Sequence, residues 1–74
     1  MEIELSKGNI LIKYKDDKKK GHREAVVVQL NKHETTISVG SIYLVDSEHA
    51  TNIEYNGTEM AIINVRFIKA IKQN

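Results

Sequence analysis

Asn52-Ile53-Glu54-Tyr55-Asn56-Gly57-Thr58-Glu59-Met60-Ala61-Ile62-Ile63 is the stretch that decides the fold. Asn56-Gly57 is the strongest short-range hairpin signal, because both residues tolerate the positive φ that a tight hairpin turn requires. It predicts two strands, Asn52 to Tyr55 and Thr58 to Ile63. The same period of two continues outward. Asn9 to Lys15 puts Ile10, Ile12 and Tyr14 on one face and Leu11, Lys13 and Lys15 on the other, as in a half-buried strand. Glu24 to Leu30 puts Val26, Val28 and Leu30 on one face and Val27 on the other, with β-branched crowding that disfavours a helix. Thr35 to Val39 predicts a short strand ended by Gly40. Ser41 to Asp46 predicts another, and Val65 to Ile71 the last. No amphipathic helix, internal repeat or linker interrupts the pattern. The expected class is all-β, a small barrel of about six to seven short strands in one domain spanning 1–74.

The 74 residues are 41% hydrophobic and 28% charged, with no Cys and no Pro. A chain of this size buries only about 60% of its unfolded surface. The absence of Cys removes disulfides and thiolate metal sites, so association of copies is the expected supplement to a thin core. The net charge of +1 gives no global bias toward polyanions. Met1-Glu2-Ile3-Glu4-Leu5 does not read as a signal peptide. No apolar run approaches the roughly 18 residues of a membrane span. The expectation is a cytoplasmic protein with no membrane association. Heavy use of Ile, Lys and Asn, with Arg only at 23 and 66, is the usage of an AT-rich bacterial or phage genome.

The C-terminal half carries a family resemblance. Val39-Gly40-Ser41-Ile42-Tyr43-Leu44-Val45 is similar to the VGDxVLF segment of GroES-type co-chaperonins. Thr51 to Glu59 resembles that family's TEIxxxGxE hairpin, Met60-Ala61-Ile62-Ile63 its YLIL strand, and Phe67-Ile68-Lys69-Ala70-Ile71 its terminal DILAI strand. Near the other end, Gly8-Asn9-Ile10-Leu11-Ile12-Lys13 resembles the early xDRVLVK strand, and Ala25-Val26-Val27-Val28 stands where the family has GxVxAVG. The resemblance covers about half of the chain and rests mostly on apolar and turn positions. It implies a GroES-like barrel, assembled as a homo-oligomeric ring in which the first strand of one subunit meets the last strand of its neighbour. Ile3 and Leu5 at one end, and Phe67, Ile68, Ala70 and Ile71 at the other, would form that interface. Two departures bear on function. The family's mobile loop carries an apolar tripeptide that docks on the chaperonin, whereas Lys15 to Glu24 is wholly polar. The roof hairpin is replaced by Asn31-Lys32-His33-Glu34. The resemblance therefore implies the bare barrel, and a co-chaperonin's usual contact with its chaperonin is not expected.

Lys13, Lys15, Lys18, Lys19, Lys20 and Arg23 stand against Asp16 and Asp17, an excess of four positive charges. Lys15, Lys18, Lys19, Lys20, His22 and Arg23 are the candidate residues for an anion or a protein partner. The competing reading is a solubilising loop tip that blunts edge aggregation. Only Tyr14 is near enough to stack on a base, and the aromatic platform of single-strand binders is missing, so nucleic acid is a less favoured partner. His22, His33 and His49 lie in turns without ligand-like spacing and read as surface histidines rather than metal ligands. Asp46-Ser47-Glu48-His49 contains the letters of a hydrolytic triad, but no nucleophile-elbow glycines flank Ser47. Neither a catalytic residue nor a cofactor is expected. The leading expectation is a non-enzymatic, ring-forming accessory or decoy protein, phage-encoded and acting through protein contact. The alternatives are an oligomeric binder of a small anion or nucleotide with pockets between subunits, and a small nucleic-acid-binding barrel.

Overall fold

The computed structural model describes residues 3–17 and 21–71. It is all-β. Six antiparallel strands form one sheet: β1 (Asn9–Tyr14), β2 (His22–Leu30), β3 (Ile42–Asp46), β4 (Thr51–Tyr55), β5 (Thr58–Asn64) and β6 (Ile68–Ile71). Their order across the sheet is β4-β5-β1-β2-β3-β6. The sheet curves around one core, Ile10, Ile12, Ala25, Val27, Tyr43, Val45, Ala61 and Ile63, and forms a small barrel-like domain. Among the described residues β4 and β6 do not pair with each other, so each is an edge strand.

The Asn56-Gly57 turn forms as its residue types require, with φ of 54° and 78°, and it sets Tyr55 opposite Thr58. β1 alternates as expected, with Ile10, Ile12 and Tyr14 at the core, but the side chains of β2 divide differently. Leu11 pairs with Gln29 but Ile12 pairs with Val27, so Val28 is an extra, bulged residue. The bulge reverses parity. Ala25 and Val27 face the core, and beyond the bulge Leu30 joins them. The expected grouping of Val26, Val28 and Leu30 on one face therefore does not hold. Leu11 faces away from the core and is nevertheless fully buried. On that side the Gln29 side-chain amide donates to the Ile3 carbonyl and ties residues 3–5 to the back of the sheet. Residues 3–6 form no strand.

Two further expectations are corrected. Thr35 to Val39 is not a strand. The Glu34 carboxylate accepts from the backbone N–H (3.0 Å) and hydroxyl (2.7 Å) of Thr36. Just upstream, Asn31 Oδ1 accepts from the His33 N–H. Local side-chain acceptors thus hold the backbone in turns that compete with a ladder. Pairing resumes where Gly40 N–H donates to the Val27 carbonyl and Val27 N–H to the Ser41 carbonyl. The final segment is likewise split. Val65–Phe67 is one 3-10 turn, because Asn64 Oδ1 accepts from the Arg66 N–H and leads the chain out of extended geometry. Only Ile68–Ile71 is strand, with Lys69 bulged between Ile68, opposite Val45, and Ala70, opposite Leu44. Tyr43, on the face opposite Ile42 and Leu44, is a core residue.

Candidate functional site

β1 ends in a cluster that its sequence neighbours do not announce. Residues paired directly across antiparallel strands share a face. Tyr14 pairs with Ala25, and Arg23 with Val45, so Tyr14 and Arg23 lie on the concave face that holds the core. Beyond Tyr14 the hairpin continues one more bond, with Lys15 N–H donating to the Glu24 carbonyl at 2.9 Å. Its far end is anchored, because the backbone N–H and hydroxyl of Ser47 both donate to the Gly21 carbonyl, at 3.0 and 2.6 Å.

Arg23 is held on three sides. Its Nε donates to Asp16 Oδ1 and its Nη2 to the Asp16 carbonyl, both at 2.9 Å. Its guanidinium carbon lies 3.6 Å from the centroid of the Tyr14 ring, a cation–π contact. The side chains of Arg23 and Asp16 are 13% and 26% exposed, so solvent screens the pair only partly. The Tyr14 hydroxyl oxygen is buried and has no hydrogen-bond partner among the described residues. Burial pushes the Tyr14 phenol above the ordinary tyrosine range, and the nearby Arg23 cation offsets part of that rise.

The cluster forms one wall of a cleft of about 320 Å³, whose lining also includes Lys13, Asp17, Asn52 and Glu59. Asn52 pairs with Ala61, and Glu59 stands two residues from Ala61, so β4 and β5 present both to the concave face. The cleft is therefore the mouth of the barrel at the open β4 side, a usual place for a binding site. Its ionised lining is mixed, with Lys13 and Arg23 against Asp16, Asp17 and Glu59.

The sequence-predicted cationic residues divide. Arg23 lines this cleft, with part of its donor set occupied by Asp16. Lys15 and His22 are exposed. Lys18, Lys19 and Lys20 lie outside the described residues. Asn52 and Glu59 were not indicated by local charge, but the register fixed by Asn56-Gly57 places both on the face of Ala61. Among the residues expected at an interface, Phe67 and Ile68 pack against the core of their own chain. Ile3 and Leu5 are half-buried, and Ala70 and Ile71 pair with Leu44 and Tyr43 in β6.

The Asp46-Ser47-Glu48-His49 turn is built on structural bonds. Asp46 Oδ1 accepts from the Glu48 N–H at 3.2 Å, and Ser47 directs its hydroxyl to Gly21. The His49 ring stacks on Phe67 at 4.1 Å with an interplanar angle of 4°, and its Nε2 lies 3.5 Å from Asp46 Oδ2. Among the described residues no group of three metal-ligating side chains converges, and no helix is long and apolar enough to cross a membrane.

Comparison with protein-family models gives no match, and comparison with curated proteins gives no significant relative.

Proposed function

We propose that this chain is a non-enzymatic, GroES-like protein that assembles into a ring and acts through protein contact, as an accessory or decoy rather than a full co-chaperonin. The observation that carries the reading is the edge strand β6. Among the described residues it is paired on one side only, with β3. A bare edge is a template for a strand from another copy. The two edges, β4 and β6, are different surfaces, and head-to-tail use of unlike surfaces builds rings when the rotation closes. The resemblance of residues 39–71 to the co-chaperonin core supports the same assembly. The hairpin tip supports the limit on function. Lys15 to Glu24 contains no apolar side chain, and a partner's groove needs a buried anchor to grip. In this reading the protein works in the cytoplasm and is phage-encoded.

Sedimentation of the full chain at micromolar concentration is the direct test. The expected result is a discrete oligomer, and a single 8.4 kDa species would overturn the assembly. A refolding assay with a bacterial chaperonin tests the limit separately. The chain should fail to replace the normal partner, and full refolding support would remove the decoy reading.

A further inference from the structure

The cleft at the mouth of the barrel carries an inference that goes beyond assembly, since it lies within one chain. Arg23 is a preorganised donor. Asp16 takes one N–H from Nε and one from Nη2, and the Tyr14 ring covers one face. A guanidinium has five N–H groups in a fixed fork. Three therefore remain without a partner among the described residues, on a side chain already held in one geometry. A carboxylate is the natural acceptor for such a fork.

The rest of the lining argues against a polyanion. Lys13 and Arg23 face three carboxylates, those of Asp16, Asp17 and Glu59. With two cations against three carboxylates, the lining carries one excess negative charge that a highly charged phosphate ester would meet. A ligand with a cation at its other end would satisfy it. Register gives the spacing. Arg23 is on β2 and Glu59 on β5, with β1 between them. The pairings Tyr14–Ala25 and Ile12–Ala61 set Glu59 level with Tyr14 and Arg23 two residues beyond it, so two interstrand steps and a two-residue rise put their backbones about 12 Å apart. The Arg23 guanidinium, stacked on Tyr14, reaches back toward Glu59, and the cleft of about 320 Å³ has room for an extended dipeptide, which spans at most about 7 Å. Asn52 lies on the same face as Glu59 and offers both a donor and an acceptor to a peptide group.

We propose that this cleft binds a short zwitterionic peptide. The C-terminal carboxylate accepts from the free Nη groups of Arg23, the N-terminal ammonium donates to Glu59, and the Asn52 amide bonds the peptide link between them.

The chain has only two arginines, Arg23 and Arg66, so an NMR spectrum of the 15N-labelled full chain contains two Arg Nε–H signals, assigned with Arg66→Lys. Titration with dialanine should shift the Arg23 signal and the backbone amides of Asn52 and Glu59 saturably, leaving Arg66 unmoved. N-acetyl-dialanine and dialanine amide, each lacking one charge, should bind at least about tenfold more weakly. Glu59→Gln alters an exposed side chain and should weaken dialanine while leaving N-acetyl-dialanine unchanged. Absence of a saturable shift with dialanine would overturn the proposal. So would equal binding of the blocked peptides, or tighter binding of a nucleoside 5′-monophosphate. A monomeric sedimentation profile would leave this cleft intact, and failure to bind dialanine would leave the assembly intact.

Discussion

The two ends of β1 are held by different chemistry. At the Asn9 end the bonds are neutral and local needs are met. The buried Asn31 amide donates from Nδ2 to the Asn9 carbonyl and accepts at Oδ1 from the His33 N–H, both at 2.9 Å. Asn64 Nδ2 approaches Asn9 Oδ1 at 3.3 Å, and Val65 N–H donates to the Gly8 carbonyl at 2.8 Å. At the Tyr14 end the bonds are ionic, and among the described residues the hydroxyl and three guanidinium N–H groups have no partner. The neutral end closes the fold. The charged end is where the proposed peptide would bind.

The largest effect should come from breaking the neutral end. Asn31→Ala removes two part-buried hydrogen bonds made by a side chain that is itself buried, and leaves the Asn9 carbonyl and His33 N–H without those partners. The expected loss is about 2–3 kcal/mol, a fall of roughly 10 °C or more in melting temperature for a domain this small. Thermal unfolding followed by circular dichroism reads it. A loss below about 1 kcal/mol would mean that solvent reaches the site.

Glycines sharpen the same comparison. Gly8 immediately precedes β1 and Gly21 immediately precedes β2, at the two ends of the β1–β2 hairpin, with φ of +88° and +86°. An added Cβ at Gly8 would sit 2.8 Å from Asn64 Nδ2, whereas at Gly21 it would meet nothing within 4 Å. Gly21→Ala carries only the left-handed backbone penalty, about 1 kcal/mol. Gly8→Ala adds displacement of the Asn64 amide, which caps the Arg66 N–H, and should lose about 2 kcal/mol. Equal losses at the two positions would show that Asn64 yields freely.

This contrast also marks what the sequence discloses. The all-β class, β1 and the β4–β5 hairpin are legible because alternation and the positive φ of Asn56-Gly57 are local properties. The Thr35–Val39 region misleads because its β-branched residues suit a strand, while Glu34 and Asn31 supply competing acceptors from outside the window. The faces of β2 mislead because the bulge at Val28 is set by pairing with β1, not by β2 itself. For the site, charge density points to Arg23 but not to its restraint by Asp16 and Tyr14. Asn52 and Glu59 are ordinary polar residues until the turn register is followed across to Ala61.

A third effect, smaller, separates the ends by salt. A double-mutant cycle with Arg23→Gln and Asp16→Asn should give a coupling of about 1 kcal/mol at low ionic strength, because the pair is only partly screened. That coupling should shrink as salt rises. The Asn31→Ala loss should not change, since no ion takes part. Salt-independent coupling would mean that the backbone bond from Arg23 to the Asp16 carbonyl dominates.

The smallest effect at neutral pH should come from Tyr14→Phe. The ring remains, so the Arg23 stack and the packing against the core remain. Only a hydroxyl whose buried oxygen has no partner among the described residues is lost, and removing an unsatisfied polar group is neutral or stabilising, by up to about 1 kcal/mol. The difference appears in alkali. Burial raises the Tyr14 pKa in the folded protein, so folding favours the neutral phenol. Its contribution is fully present below the ordinary tyrosine pKa of about 10 and is lost as pH rises through the higher folded value. The wild-type chain should therefore lose stability across that window faster than Tyr14→Phe, measured as urea unfolding at stepped pH. Lysine titration is common to both chains and cancels in the difference. Parallel pH profiles would show that the hydroxyl reaches water, and a clear loss in Tyr14→Phe at neutral pH would show that it has found a hydrogen-bond partner.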